Sequence, residues 1–152
     1  MASAPALGAG GCEFKSRLPD QTNPDSILIS LGSQFYIMEQ KYLSVDGKST
    51  GVRVEIADSF VLRLKGWMLS KNVPDFGLLL RPCNGIHTFA MRFPIDAVFL
   101  DNDNEVLRVE RNLKPWRIVP MVYHSKSALE LPTGWAEKFS IGVGSSVSLS
   151  IK

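Results

Sequence analysis

Residues 83–101 read C-N-G-I-H-T-F-A-M-R-F-P-I-D-A-V-F-L-D, which places a thiol, an imidazole, a thioether, a guanidinium and a carboxylate in one short stretch. Three chemistries fit these types. Cys83, His87 and Met91 recur every fourth residue, and soft sulfur with imidazole suits copper or zinc. Met121 and His124 are further candidate ligands from elsewhere in the chain. The spacing matches no established metal signature, so the plainer reading is a core Met91, a small buried Cys83 and a partly exposed His87. Cys83, His87 and Asp96 have the types of a nucleophile, base and orienting acid, but their spacing alone establishes no contact. Asp96 and Glu130 have the types of an acid and base pair for a hydrolase or lyase.

The elements that would position these groups are short strands. Alternate side chains of a strand share a face. A strand over 86–91 therefore turns His87, Phe89 and Met91 one way, and a strand over 95–100 places Asp96 beside Val98 and Leu100. A carboxylate on such an apolar row must be paired, heavily hydrogen-bonded or neutral. Arg63, Arg81 and Arg92 are candidate partners, and backbone N–H groups around the Pro94 corner are the alternative. Glu130, in L-E-L-P-T-G, poses the same question at the end of another strand, either bonding turn amides or facing Asp96 across a cleft. The structural role is preferred for both acids.

Other motifs are weaker. D-N-D-N-E-V (101–106) imitates the start of a calcium loop, but Val106 stands where Gly is required, so a hairpin turn is expected. Trp67, Trp116, Trp135 and Tyr123 could line a groove for sugar or peptide. Core packing is preferred for Trp67, and Trp116 is the best candidate for an exposed ring. No phosphate-binding glycine loop, G-x-S-x-G or H-E-x-x-H occurs.

The remaining pattern is mainly β. A strand or short helix is expected over Gln34–Val45 and a turn at Asp46-Gly47. A strand follows over 52–57, then a short helix capped by Asp58-Ser59 with Phe60, Leu64, Trp67 and Met68 on one apolar stripe. Strands are expected at 76–80, 86–91, 95–100, 105–110, 127–131 and 143–151, with one helical turn at 133–139. Many short strands between frequent turns describe a compact sandwich or small barrel of mostly antiparallel strands. Residues 1–33 read as a flexible arm with a single strand at 27–31, and 34–152 as one β domain.

The chain has 152 residues, a net charge of +2 and scattered basic residues, which gives no reason to expect nucleic acid as a partner. No apolar run approaches the roughly 20 residues of a membrane span. Cys12 and Cys83 make no disulfide framework. The N-terminus lacks the basic region of a signal peptide, and its G-G-C only faintly imitates a lipoprotein cleavage site, so the expected location is cytoplasmic.

Four separated blocks carry a family likeness: R-L-K-G-W-M (63–68), G-L-L-L-R-P-C-N-G-I-H-T-F-A-M-R-F-P-I-D-A-V-F-L-D (77–101), L-K-P-W-R (113–117) and L-E-L-P-T-G (129–134). In order and spacing they resemble the family catalogued as domain of unknown function 192, over about residues 52–152. Arg63, Gly66, Met68, Met91, Pro94, Asp96, Glu130 and Gly134 sit on its motif. The family pattern typically has Leu at Trp67 and commonly Gly at Ala90. The resemblance implies a compact β domain and no established activity, and members often look exported. The expected function is a non-enzymatic binding or accessory module, without cofactor. Arg63, His87, Met91, Arg92, Asp96, Trp116 and Glu130 would edge a cleft for a small polar ligand, a peptide or a partner protein.

Overall fold

The computed structural model describes residues 26–31 and 33–151. Ten strands and two short helices follow one another: β1 Ser26–Leu31, β2 Gln34–Val45, β3 Lys48–Ala57, α1 Phe60–Lys65, β4 Gly77–Leu80, β5 Ile86–His87, β6 Ile95–Leu100, β7 Val106–Leu113, β8 Ile118–Val119, β9 Ser127–Pro132, α2 Trp135–Lys138 and β10 Val147–Ser150. The expected strand near residue 27 is β1. Residues 1–25 and 32 of the expected arm lie outside the described residues.

The main sheet runs β1-β2-β3-β4-β9-β6-β7, with β10 also paired to β2, while β5 and β8 form a small separate ribbon. All pairs are antiparallel except β3–β4. A parallel pair needs a crossover, and α1 with residues 66–76 supplies it. That crossover lies over one face of the sheet and roofs the site described below. An isolated bridge between Glu105 and Ser146 brings the start of β7 to the β10 side. The sheet is curled but not closed into a barrel.

Because the sheet is covered on both sides, its central strands are buried along their whole length: G-L-L-L in β4, I-D-A-V-F-L in β6 and S-A-L-E-L-P in β9. Such strands read as near-continuous apolar runs. Leu79, Val98, Leu100, Leu129 and Leu131 face the inside of the curl with Leu43, Val54 and Val106, and Ala136 of α2 packs on them. Leu78, Leu80, Ile95, Ala97 and Phe99 face the other way, under Leu62, Trp67, Ile86, Met91 and Phe93. The centre has no spare room at Gly77, where a Cβ would lie 3.0 Å from Leu131 Cδ2 and 3.2 Å from Val54 Cγ2. Gly77→Ala is expected to cost about 1–3 kcal/mol by overpacking, measurable as a lower urea midpoint at unchanged slope.

Two local expectations are corrected. Only Ile86 and His87 of the 86–91 segment are strand. Thr88 is fully buried, donating to the Lys114 carbonyl (2.7 Å) and accepting from Arg117 N–H (2.9 Å), and Ala90 takes φ 55°. These bonds fold the chain into a turn. The helix carries no Phe60–Leu64 core stripe either: it ends at Lys65, Leu62 is its buried residue, and Phe60 is 70% exposed. Ser59 caps it by accepting from Leu62 N–H (3.3 Å), and Gly66 closes it at φ 45°. The turn at Asp46-Gly47 is as expected, with both residues at positive φ.

Candidate functional site

Glu130 sits near the end of β9, directly opposite Leu78 of β4 on one side and Ala97 of β6 on the other. Residues facing each other across a ladder share a face, so its side chain points under the crossover, away from the curl. There it meets a cavity of about 250 Å³ between α1 with its following turn and the 80–87 segment. Phe60, Leu64, Met68, Ile86 and Met91 give the cavity apolar walls, and Arg63, Lys65, Cys83 and His87 add polar groups.

The carboxyl of Glu130 is unlike any other acid among the described residues. The residue is 3% exposed, and among the described residues its Oε2 has no hydrogen-bond partner. No cation among them lies within ion-pair distance of it. Burial alone pushes its pKa up to about 8, because water is removed from the carboxylate and nothing replaces it. At neutral pH the group is therefore mostly a neutral acid, able to donate one hydrogen bond and accept others. Gly66 faces it: a Cβ there would lie 3.5 Å from Oε2 and 3.8 Å from Oε1.

Of the other expected site residues, Arg63, His87 and Met91 join Glu130 on this cavity. Arg63 keeps its guanidinium on the backbone, donating from Nη1 to the carbonyls of Asp58 and Arg81. His87 stacks on Phe89 with ring centroids 5.2 Å apart. Phe89 in turn lies 6.0 Å from Trp116, which is 64% exposed and at φ 61°. Trp116 and the exposed Arg92 do not line the cavity.

Asp96 is also absent from the cavity. It faces the inside of the curl, opposite Leu131, and is 1% exposed. Its partners are backbone amides rather than arginines: Asn112 N–H to Oδ1 (2.9 Å), and Gly134 (2.8 Å) and Ala136 (3.0 Å) N–H to Oδ2. These bonds tie β6 to β7 and to the start of α2. Asp96 and Glu130 thus project from opposite faces of the same sheet, and the cleft expected to hold both does not form.

Cys83 borders the cavity as an ordinary thiol. Burial raises its pKa, outweighing a smaller opposing effect of the Gly85 backbone, and the thiol donates to the Gly85 carbonyl (3.1 Å), the reverse of what a thiolate nucleophile needs. Met121 and His124 are exposed, and neither lines this cavity. Among the described residues no group of three or more His, Cys, Asp or Glu could hold a metal. Asp101 accepts from the N–H of Asp103 and Glu105 (both 2.9 Å), which makes the 101–106 run a turn.

A third buried acid is not among the candidates drawn from the sequence. Glu55 of β3 lies opposite Leu78, so Glu55, Leu78 and Glu130 form one row on one face. Glu55 borders a neighbouring cavity of about 130 Å³ with Trp67, Ser70 and Phe76. Burial raises its pKa too, but Arg53, with Nη2 3.9 Å away, pulls it back. Lys65, Gly66 and Trp67 form the wall common to both cavities. In the alternation V-R-V-E-I Glu55 falls on the face opposite Val52 and Val54, and only the crossover, invisible to a period-two reading, covers it.

The family model for domain of unknown function 192, described as "Uncharacterized ACR", matches residues 42–149. The chain belongs to this family. The match includes all of β3 and the end of β2, and so begins ahead of the motif blocks. Two relatives in the curated proteins are named UPF0127 protein. One, from Thermococcus sibiricus, is 32% identical over 111 residues, covering 70% of this chain and 71% of the relative. The other, from Pyrococcus abyssi, is 34% identical over 116 residues, covering 73% and 93%. A solved structure of a protein of unknown function from Novosphingobium aromaticivorans shares the fold with a TM-score of 0.66 at 18% identity, covering 80% of this chain and 92% of that one. Ala90 occupies the left-handed region that glycine enters most freely. No helix among the described residues is long and apolar enough to cross a membrane.

Proposed function

We propose that the domain is a non-enzymatic binding module, and that its ligand is a small polar molecule held in the cavity over Glu130. One observation carries this reading: Glu130, whose Oε2 is buried without a hydrogen-bond partner, lines an open cavity. Buried polar groups are hydrogen-bonded with few exceptions, and leaving one unsatisfied costs about 1–3 kcal/mol. A fold that keeps such a group next to empty space gains that energy back when a ligand supplies the missing bond. The mixed lining supports the same reading, since apolar walls with a few polar groups are the usual make-up of small-molecule sites. Arg63, His87 and Met91 contribute the rest of the contact surface. The surface Arg92 and Trp116 flank this region and have no part in the cavity.

A catalytic reading has less support. An acid and base pair needs both carboxyls on one reacting bond, and the pleat puts Asp96 and Glu130 on opposite faces. The test is a thermal-shift screen of small metabolites followed by cavity variants. Binding should raise the melting temperature, and Met91→Trp, which fills the cavity, should abolish that rise. Hits unaffected by Met91→Trp and Glu130→Gln would move the site elsewhere.

A further inference from the structure

The chemistry around Glu130 restricts what it would bind, and this inference rests on the binding reading above. We propose that the cavity takes a small aliphatic primary amine, its ammonium group paired with the Glu130 carboxylate and its carbon chain lying along Leu64, Met68, Ile86 and Met91. The charge arrangement argues for it. Oε2 is orphaned, and among the described residues no lysine, arginine or histidine forms an ion pair with this carboxyl. A cation brought by the ligand is the one partner that both completes the hydrogen bonding and offsets the cost of ionising the buried carboxyl. A neutral hydroxyl would do only the first. A carboxylate ligand would place a desolvated anion beside a carboxyl that burial already keeps from ionising.

The charged and titratable groups around Glu130 fit a ligand with a single positive charge. Arg63 and Lys65 approach from α1, while Cys83 and His87 approach from the facing segment. Arg63 is held by two backbone carbonyls and is oriented by them. Glu55 lies in the same row across Leu78. The two half-buried cations, Arg63 and Lys65, oppose a ligand with more than one positive charge. Gly66 puts no side chain between the end of α1 and the carboxyl: a Cβ there would lie 3.5 Å from Oε2.

Amine binding converts Glu130 from acid to carboxylate, so the proton leaves to solvent as the ammonium enters. The balance is one proton released per amine bound, below the pH at which the free carboxyl ionises. Affinity therefore rises with pH, by up to about tenfold per unit between pH 6 and 8, while an alkyl ammonium stays charged because such amines titrate near pH 10.4.

The experiment titrates the full chain with n-butylamine, 1-butanol and butyrate separately, following backbone amide NMR shifts at pH 6, 7 and 8. The expected result is preferential binding of butylamine, shifts centred on Gly66, Cys83 and Glu130, and affinity that climbs with pH in wild type and in His87→Asn but is flat and weaker in Glu130→Gln. Butanol or butyrate binding as tightly, or an affinity that is flat or falls with pH in the wild type, overturns the amine assignment and leaves the binding module standing. Absence of cavity shifts with all the probes overturns both. If Glu130→Gln fails to fold, the wild-type and His87→Asn trends alone decide.

Discussion

Between about pH 4.5 and pH 8 the domain is expected to lose stability as the pH rises, and Glu130→Gln to remove most of that loss. The sign follows from which state holds the proton. In the unfolded chain Glu130 ionises near 4.5; in the fold burial holds it protonated up to about 8. Within that window the native state binds one more proton than the unfolded state. Stability then falls by at most roughly 1.4 kcal/mol per pH unit, on the order of 4 kcal/mol across the window. The benefit of the neutral acid is fully present below pH 4.5 and gone above pH 8. Glu55, also shifted upward by burial and partly offset by Arg53, adds a smaller slope of the same sign, and Glu130→Gln should retain it. Urea unfolding at half-unit pH steps measures both slopes. The variant should be more stable than the wild type at pH 8 and lose its advantage at pH 4.5. A wild-type curve that rises through this range would mean that the carboxylate is solvated or paired.

The strands were legible because period two and turn residues report directly on local backbone. The 95–100 segment is read correctly down to its faces: Asp96, Val98 and Leu100 on one side, Ile95, Ala97 and Phe99 on the other. The family blocks are legible too, because they are contiguous. Side-chain bonds between distant segments are not. Thr88 bonds residues 26 and 29 positions away, and nothing near 88 in the sequence signals that a hydroxyl will turn a strand into a corner. The crossover is the larger omission. Pattern alone takes each strand to its antiparallel neighbour, whereas β3 and β4 run parallel with α1 between them. That one connection covers Glu55, brings Gly66 over Glu130 and turns Phe60 and Leu64 from supposed core into cavity edge. Asp96 and Glu130 looked like partners because each lies on an apolar row. Whether two such rows share a face depends on inter-strand register, which one sequence does not contain.

Asp96→Ala is expected to lower stability by about 3–5 kcal/mol, the opposite sign to Glu130→Gln although both remove a buried acid. The difference is the donors. Asp96 accepts from Asn112, Gly134 and Ala136, all groups with no easy substitute. Ala136 is the second residue of α2, and Gly134 caps that helix at φ 87° with no capping side chain of its own, so the Asp96 carboxylate acts as the anion at that helix start. Alanine leaves these buried amides without an acceptor, at about 1–3 kcal/mol for each that water does not reach. Asp96→Asn should be intermediate. One amide oxygen can serve the Oδ2 pair or the Oδ1 site but not both, and its NH2 group then faces another donor. Urea midpoints in the order wild type, Asp96→Asn, Asp96→Ala, with lost hydrogen-exchange protection at the three amides, would bear this out. An Asp96→Ala protein as stable as the wild type would mean that those amides find other acceptors, and that the 132–136 corner is held by packing of Leu131 and Ala136 alone.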